Sequence, residues 1–314
     1  MTTLKQVGER GLIRRLAKLL PSRDDVRVGI GDDVAVVHVE GTHTDLLLTS
    51  DAVIEGTHFL PRTPAAQIGH KAIGRALSDM AAMGGEPLWG LIDLVAPSKT
   101  PVKRVEDIYR GAARLAKKYG LAIIGGDTTQ GAKLELHVFA AGQVQQRAAV
   151  LRSGARPGDA IYVTGELGGS LAGKHLRFDP RIEEGLWLRE SGWAGAMIDV
   201  SDGLVTDLGH ITGSSGVGAE LDGAAIPISV AARRVGGGRT PLEHALFDGE
   251  DFELLFTVAA DKETAFLSSW RDTFQLRCTR VGRITNKKGR ITLADGAGPG
   301  KPLADLGFEH FRRG

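Results

Sequence analysis

The chain has 314 residues, of which 42% are hydrophobic and 25% charged, so its composition excludes wholesale disorder and a fibrous repeat. Its 39 Lys and Arg residues against 38 Asp and Glu leave a formal net charge of +1, which excludes a general attraction to nucleic acid or to an anionic membrane. The single cysteine excludes an internal disulfide and any multi-cysteine metal site. With no signal-peptide pattern and no run of about 18 apolar residues, the sequence predicts a cytoplasmic protein without membrane contact.

The N-terminal half predicts a mixture of helices and strands. Strands at 45–50 and 134–140, and helices at 64–83 and 105–119, follow from apolar periodicity. A shorter helix is predicted before them, ended by Pro21 and packed on a core through its apolar face. That face consists of Leu12, Ile13, Leu16, Leu19 and Leu20.

A passage rich in turn residues, 148–159, predicts a domain boundary near residue 150. The predicted fold is therefore α+β, with two mixed α/β domains at 1–148 and 149–314. The second domain is expected to contain a strand at 160–164, a helix after Ser201, a strand at 252–258, a helix at 261–270, and strands near Arg280 and Ile291.

Acidic segments follow five apolar stretches, at points where a strand or helix meets a loop. Hard divalent cations such as Mg²⁺ prefer carboxylate oxygens, and aspartates from separate loops can hold two or more ions against a triphosphate. The pattern therefore indicates phosphoryl transfer. Aspartate also caps helices and turns, so each segment alone has a structural alternative. The residues concerned are Asp32, Asp33, Asp51, Asp79, Asp127, Asp199 and Asp202.

Asp79 shares a helical stripe with Lys71 and Arg75, at positions i, i+4 and i+8. On an exposed helix face, a pair between Arg75 and Asp79 would contribute only about 0.3 to 0.5 kcal/mol. The exposed pair is the structural alternative for Asp79, whereas as a functional group Asp79 would end the helix at the wall of a site.

Other catalytic patterns are weak. Residues 168–175 match the phosphate-binding loop G-x-x-x-x-G-K, but His175 stands where a Ser or Thr should bind Mg²⁺. Residues 29–33 do not continue into a dinucleotide-binding motif. Cys278 lies in a strand-like run typical of a buried thiol, and neither H-E-x-x-H nor G-x-S-x-G is present.

The order of the motifs is more informative than any one of them. This order resembles the thiamine-monophosphate kinase family over nearly the whole chain, from about residue 8 to residue 311. Other members of the aminoimidazole-ribonucleotide synthetase superfamily share the architecture and the use of ATP, but not this set of motifs. The motifs are G-I-G-D-D at 29–33, T-S-D and G-T-H-F within 49–59, L-S-D-M-A-A-M-G at 77–84, G-G-D-T-T at 125–129, I-D-V-S-D-G-L at 198–204 and G-E-D-F-E-L at 249–254.

The resemblance implies transfer of the γ-phosphoryl group of ATP to thiamine monophosphate, which gives thiamine diphosphate and ADP with the help of several Mg²⁺ ions. It also implies an aminoimidazole-ribonucleotide synthetase-like architecture with the active site between the two domains. The N-terminal α/β domain would pair with its copy in a homodimer, and the C-terminal α+β domain would complete the cleft. The implied partners are therefore small molecules and a second copy of the chain.

The resemblance assigns roles to individual residues. The implied Mg²⁺ ligands are Asp33, Thr49, Ser50, Asp51, Asp79, Asp127, Asp199 and Asp202. The implied ATP contacts are Gly126, Asp127, Arg152, Ser201 and Tyr109. The implied contacts to thiamine monophosphate are His58, Glu250 and Phe308. Direct catalytic roles fall on Asp127, Asp202 and Arg152.

Two departures from the family pattern bear on the acceptor. The segment 168–181 is shorter than in family members and has Phe178 in place of a proline, and Asp248 replaces a glycine. Two alternative functions stay open. One is an ATP-dependent synthetase of the same superfamily with another acceptor, and the other is a non-catalytic protein that binds thiamine phosphates or nucleotide.

Overall fold

The structure is a computed structural model that describes residues 2–294, 300–304 and 307–311. Within these ranges the chain forms two seven-stranded sheets and seven α-helices. The helices are α1 (Leu4–Leu16), α2 (Ala65–Ala82), α3 (Val102–Lys118), α4 (Ile182–Glu190), α5 (Leu204–Ser215), α6 (Pro241–Phe247) and α7 (Glu263–Thr273).

The N-terminal sheet has the order β1-β2-β3-β7-β4-β5, and β6 also pairs with β4. Its three central strands are antiparallel and eleven residues long, whereas β5 and β6 run parallel to β4. The strands are β1 (Val26–Val28), β2 (Ala35–His38), β3 (Thr44–Ile54), β4 (Glu86–Ala96), β5 (Ala122–Gly125), β6 (Thr128–Gln130) and β7 (Glu135–Gln145).

The C-terminal sheet has the order β14-β13-β10-β12-β8-β11-β9. All its pairings are antiparallel except that between β10 and β13. The strands are β8 (Ala160–Thr164), β9 (Ala194–Asp199), β10 (Gly218–Asp222), β11 (Leu254–Val258), β12 (Cys278–Thr285), β13 (Ile291–Ala294) and β14 (Lys301–Pro302).

Helix α2 lies between the two sheets and is buried along most of its length. One apolar core includes its side chains together with Val138 of β7 and Met197 of β9. A helix buried on several sides must place its few polar residues against partners from both sheets. This position allows α2 to supply side chains to a site between the sheets.

The first helix differs from its prediction. Helix α1 spans Leu4–Leu16 with a kink at Gly8, so Leu19 and Leu20 lie beyond its end. These two leucines and Leu16 are exposed, Leu19 by 77%. The expected packing of this apolar face on a core is therefore wrong for the protomer. Periodicity identifies an apolar face, but it does not tell what covers that face.

Two glycines allow α2 and α3 to pack closely. A Cβ atom on Gly111 of α3 would lie 2.0 Å from the carbonyl oxygen of Ala66 in α2, and one on Gly69 would lie 1.9 Å from that of Ile108. Gly111→Ala is therefore expected to lower the free energy of unfolding by about 2 to 3 kcal/mol, because backbone atoms must move apart. Urea-induced unfolding measures the loss.

Gly213→Ala is the matched control for this substitution. Gly213 lies in α5, and nothing stands within 4 Å of a Cβ atom built there. Alanine favours a helix over glycine by up to about 1 kcal/mol, so this variant should be unchanged or slightly more stable. Equal stability of the two variants would show that the close approach of α2 and α3 is unimportant.

The outer face of the N-terminal sheet is apolar. Trp89 of β4 is 47% exposed, and Leu91, Ile124 and Phe139 are also exposed on β4, β5 and β7. Leu91 and Phe139 are direct cross-strand partners, so these side chains form one patch. Among the described residues, no helix has the length and apolar character needed to cross a membrane.

Candidate active site

A cavity of about 330 Å³ opens between the two sheets, beside α2 and the end of β9. Both halves of the chain contribute to its wall, which includes backbone and side chains from β3, α2, residues 199–202 and residues 247–252. Among the described residues, the carboxylates that line it are Glu9, Asp51, Asp79, Asp199, Asp202, Asp248 and Glu250.

Three aspartates form a compact cluster, and two of them, Asp79 and Asp199, line this cavity. One carboxylate oxygen from each of Asp33, Asp79 and Asp199 lies within 4.8 Å of the other two. Asp33 precedes β2, Asp79 belongs to α2 and Asp199 ends β9. The packing of α2 between the sheets therefore brings together residues that are up to 166 positions apart in the sequence.

Hydroxyl groups orient two of these carboxylates. The Oγ1 of Thr49 donates a hydrogen bond of 2.6 Å to Oδ2 of Asp79, and the Oγ of Ser78 donates one of 2.6 Å to Oδ2 of Asp199. Each bonded carboxylate keeps its other oxygen for a further partner. Thr49, a predicted metal ligand, therefore contacts the cluster through Asp79.

Burial and mutual repulsion make the cluster costly to ionise. Burial, and then the charge of Asp33, raises the pKa of Asp199 to about 7. Burial, and then the charge of Asp51, raises the pKa of Asp79 well above its ordinary value. Such carboxylates are stabilised by a proton or by a cation. An all-oxygen anionic donor set of this kind fits Mg²⁺.

Lowering the pH is expected to stabilise the metal-free protein through Asp199. Its folded pKa of about 7 exceeds the ordinary value of 3.8, so between these values the folded state binds more protons than the unfolded state. The free energy of unfolding contributed by this group then falls as the pH rises through that window. Asp199→Asn removes the charge and should raise Tm at pH 8 by about 2 to 6 °C in EDTA.

Thermal unfolding at pH 6.5 and pH 8 measures this effect. Asp179→Asn is the control, because Asp179 is an exposed partner of Lys118 on the surface. The rise in Tm caused by Asp199→Asn should be smaller at pH 6.5, where Asp199 already carries a proton in much of the wild-type protein. A gain that does not change with pH would contradict the raised pKa.

Arg152 extends the cluster on the side of the loop before β2. Its Nη2 lies 2.8 Å from Oδ1 of Asp33, and its backbone N–H donates to the carboxylate of Asp32. Burial, and then the charge of Asp33, raises the pKa of Asp32 to about 6. The structure thus places Arg152 next to predicted metal ligands.

The segment 201–203 is held by a carboxylate that the sequence interpretation missed. Oδ2 of Asp207 accepts hydrogen bonds of 3.1 Å from the backbone N–H groups of Ser201, Asp202 and Gly203. Burial, and then the charge of Glu9, raises the pKa of Asp202 to about 6. An aspartate in the first turn of α5 was the available signal, because such residues bind the N–H groups that precede a helix.

The predicted acceptor residues line the same cavity. Nδ1 of His58 accepts a hydrogen bond from the backbone N–H of Ile54, and burial, followed by the charge of Arg75, lowers the pKa of His58 to about 4. Phe308 is partly exposed, and its backbone N–H donates to the carbonyl of Asp202. His58, Glu250 and Phe308 therefore lie around one space with Asp51 and Asp202.

The stripe on α2 does not form the exposed ion pair that is its structural alternative. Lys71 is fully buried, and its Nζ lies 2.7 Å from Oε2 of Glu250 and 2.7 Å from the carbonyl oxygen of His58. Arg75 pairs with Asp51 and Glu250. Arg75 and Asp79 are both partly buried, because β3 and the segment 247–252 cover this face of α2.

The predicted ATP contacts of the N-terminal domain lie apart from the acidic cluster. Asp51, Val138 and Ile92 are cross-strand partners on β3, β7 and β4, and Gly126 packs against Ile92. Three strand spacings of about 4.8 Å place Asp127 roughly 14 Å from Asp51. Asp127 is exposed, and its backbone N–H donates to Oδ1 of Asp93.

Two other predicted residues are also outside the cluster. Tyr109 of α3 is half-buried, and burial followed by the charge of Asp93 raises its pKa. Ser50 lies between Thr49 and Asp51 on β3, so its side chain is on the opposite face of the sheet. Its cross-strand partner is Phe139, which belongs to the exposed apolar patch.

The fold and the site define a class of protein. Residues 31–144 match the family model of the N-terminal domain of AIR synthase related proteins, and residues 156–294 match that of the C-terminal domain. The prediction of a two-domain, mixed α/β architecture of this type is confirmed.

Particular relatives narrow the assignment. A thiamine-monophosphate kinase of Rhodopirellula baltica is 40% identical over 84% of this chain and 85% of its own length. A thiamine-monophosphate kinase of Aquifex aeolicus is 34% identical over 98% of this chain and 99% of its own length. A solved structure described as AaThiL complexed with AMPPCP and TMP has a TM-score of 0.86 at 34% identity and covers 99% of both chains. The chain belongs to the thiamine-monophosphate kinase family, which confirms the predicted resemblance.

Proposed function

We propose that the protein transfers the γ-phosphoryl group of ATP to the phosphate of thiamine monophosphate and releases thiamine diphosphate and ADP. The observation that carries this proposal is a cavity lined by Asp79 and Asp199 of the acidic cluster together with His58, Glu250 and Phe308. The kinase relatives support the reaction class, and the bound molecules named for the AaThiL structure support both substrates.

The acidic cluster would hold several Mg²⁺ ions. Asp33, Asp79 and Asp199 have the closest oxygens, and Asp51 and Asp202 line the cavity beside them. Bound Mg²⁺ would neutralise the charge of the triphosphate and of the acceptor phosphate, which otherwise repel each other. Thr49, Ser50 and Asp127 remain proposed ligands from the resemblance.

The residues of the chain need not act as a general base. The second pKa of a phosphate monoester is near 6, so the acceptor is mostly a dianionic nucleophile at pH 7. What the protein must do is hold two anionic groups in line and exclude water. Arg152 and Ser201 are proposed ATP contacts on one side of the cluster, and Gly126, Asp127 and Tyr109 are proposed ATP contacts beyond β4.

The part of the cavity formed by His58, Glu250 and Phe308, here called the acceptor wall, suits a cationic heteroaromatic molecule. Phe308 offers a ring face to the thiazolium, an interaction that contributes about 0.5 to 2 kcal/mol. Glu250 lies in the same wall and is paired with Lys71 and Arg75, and His58 is neutral at physiological pH because its pKa is lowered to about 4. This wall therefore presents a π face and a carboxylate to the acceptor, and His58 adds no positive charge to it.

The proposed organisation is a cytoplasmic homodimer with domains at 1–148 and 149–314. The apolar patch on β4, β5 and β7 supports pairing through the N-terminal domain, since large exposed apolar patches are typical of interfaces. Of the C-terminal domain, residues 295–299, 305–306 and 312–314 lie outside the described residues.

A coupled assay tests the proposed function. Purified protein, Mg²⁺ and ATP are incubated with and without thiamine monophosphate, and ADP and thiamine diphosphate are quantified by chromatography. We expect equimolar ADP and thiamine diphosphate only when the acceptor is present. ADP without thiamine diphosphate would point to a synthetase with another acceptor, and no ADP from folded protein would point to a binding protein.

A further inference from the structure

Arg75 occupies the junction between the acidic cluster and the acceptor wall. Its Nη2 lies 2.8 Å from Oδ1 of Asp51, and its Nη1 lies 3.3 Å from Oε1 of Glu250. The side chain is 19% exposed and lines the cavity. The acceptor phosphate must lie between these two sets of residues if the acceptor ring contacts Glu250 and its phosphate faces the cluster.

The guanidinium of Arg75 has hydrogen-bond capacity left over. A guanidinium carries five N–H donors, and the two ion pairs use one donor each. Nε is buried and has no hydrogen-bond partner within the part of the chain that the structure describes. Each Nη atom also keeps a second N–H, so an acceptor oxygen that reaches the guanidinium from the cavity would be bound well.

Neighbouring side chains fix the position of this guanidinium. The ring of Phe252 lies 5.9 Å from the guanidinium carbon, and Phe178 stacks on that ring with centroids 4.0 Å apart and an interplanar angle of 15°. Phe178 in turn fills the space next to Gly74, where a Cβ atom would lie 2.7 Å from its Cζ. Lys71 takes the other oxygen of Glu250. Arg75 is therefore pre-oriented rather than mobile.

The backbone of the acceptor wall supports the same arrangement. Glu250 has φ of 64° and Phe252 has φ of 53°, a left-handed region that non-glycine residues rarely occupy. Such backbone strain persists only where surrounding contacts hold it. The contacts that hold it here are those with Lys71, Arg75 and Phe178.

We infer that Arg75 binds the phosphate group of the acceptor and makes the site selective for a phosphate monoester over the unphosphorylated alcohol. A planar guanidinium suits this task because it can bind two phosphate oxygens at once. The inference rests on the proposed function, because it takes thiamine monophosphate as the acceptor.

Equilibrium binding in the presence of Mg²⁺ and without ATP tests this role. Calorimetry compares thiamine monophosphate with thiamine for the wild-type protein, Arg75→Gln, Arg75→Lys and the control Arg114→Gln, whose arginine is exposed on α3. We expect Arg75→Gln to weaken binding of thiamine monophosphate by about 10- to 100-fold and binding of thiamine by less than about twofold. The affinity of Arg75→Lys for thiamine monophosphate should lie between those of the wild type and Arg75→Gln, because lysine keeps the positive charge but not the planar guanidinium.

The outcomes separate this inference from the proposed function. Equal losses for thiamine monophosphate and thiamine in Arg75→Gln would mean that Arg75 only supports the wall, and would overturn the inference. Unchanged affinity for thiamine monophosphate would overturn it as well. A wild-type protein that fails to make thiamine diphosphate in the coupled assay would instead refute the proposed function, and the inference with it.

Discussion

Asp79→Asn is expected to lower the turnover number of the proposed phosphoryl transfer by about 10²- to 10³-fold while the protein keeps its fold. Asp79 contributes one of the three closely spaced oxygens of the acidic cluster. Burial and the charge of Asp51 raise its pKa well above the ordinary value, so ionising this carboxyl group is costly in the metal-free protein. An asparagine has nearly the same shape as the aspartate and no charge, so it removes this cost together with the anionic ligand.

The local contacts of the variant support this separation of activity from stability. The amide oxygen of asparagine can still accept the hydrogen bond from Oγ1 of Thr49. Removing a buried negative charge should also leave Tm in EDTA unchanged or higher. Steady-state kinetics and thermal unfolding, measured on the same preparation, test both parts.

Asp107→Asn is the control for Asp79→Asn. Asp107 lies on α3 and forms an exposed pair with Lys103, so its loss should change neither turnover nor stability noticeably. Turnover of Asp79→Asn within a few-fold of the wild type would refute a role of the cluster in phosphoryl transfer. A collapse of stability would show that Asp79 is ionised and structurally required.

Glu250→Gln is expected to lower the free energy of unfolding by about 3 to 5 kcal/mol. Lys71 is fully buried, and Glu250 is its ionic partner at 2.7 Å. The substitution leaves the buried ammonium group with neutral acceptors, the carbonyl oxygen of His58 and the introduced amide oxygen, in place of a carboxylate. An unpaired buried charge is far more costly than an absent one.

A double substitution separates the pair from the individual side chains. Lys71→Met removes the ammonium group, so Glu250→Gln should cost much less in that background than in the wild type. Denaturant unfolding of the four proteins gives the coupling free energy. Glu190→Gln is the control, because Glu190 is an exposed partner of Arg189. Additive losses would contradict a direct dependence of Lys71 on Glu250.

The pH dependence of the Glu250→Gln variant follows from the same contact. Burial lowers the pKa of Lys71, and Glu250 raises it, so losing Glu250 should lower it further. Where the folded state binds fewer protons than the unfolded state, the free energy of unfolding rises with pH. The defect of the variant should therefore be smaller at pH 9 than at pH 7.

Local patterns predicted the long helices and the acidic ends of elements well. Helices α2 and α3 begin and end within three residues of their predicted limits, because their apolar periodicity and flanking prolines are local signals. β4 was missed although it is as long as β3 and β7. Its apolar residues occupy both faces, so the alternation that predicts a half-buried strand is absent.

Side-chain partners across the fold were less predictable. The spacing of Lys71 and Arg75 was visible in the sequence, but its meaning depended on whether α2 is exposed or buried between two sheets. In the same way, the likeness to a kinase family grouped Asp127 with Asp33 and Asp79, whereas the sheet separates Asp127 from Asp51 by three strand spacings. A single protomer therefore presents two groups of acidic residues, one that contains Asp33 and Asp79 and another that contains Asp127.

The sequence by itself determined the long helices α2 and α3, the order of the motifs and hence the family. These features are local, or they depend only on order along the chain, so no knowledge of packing was needed. Only the tertiary structure decided that Arg75 faces Asp51 and Glu250, that Lys71 is buried, and that the leucines after α1 are exposed. Those outcomes depend on which surfaces meet, and burial sets both the pKa of a carboxylate and the strength of an ion pair.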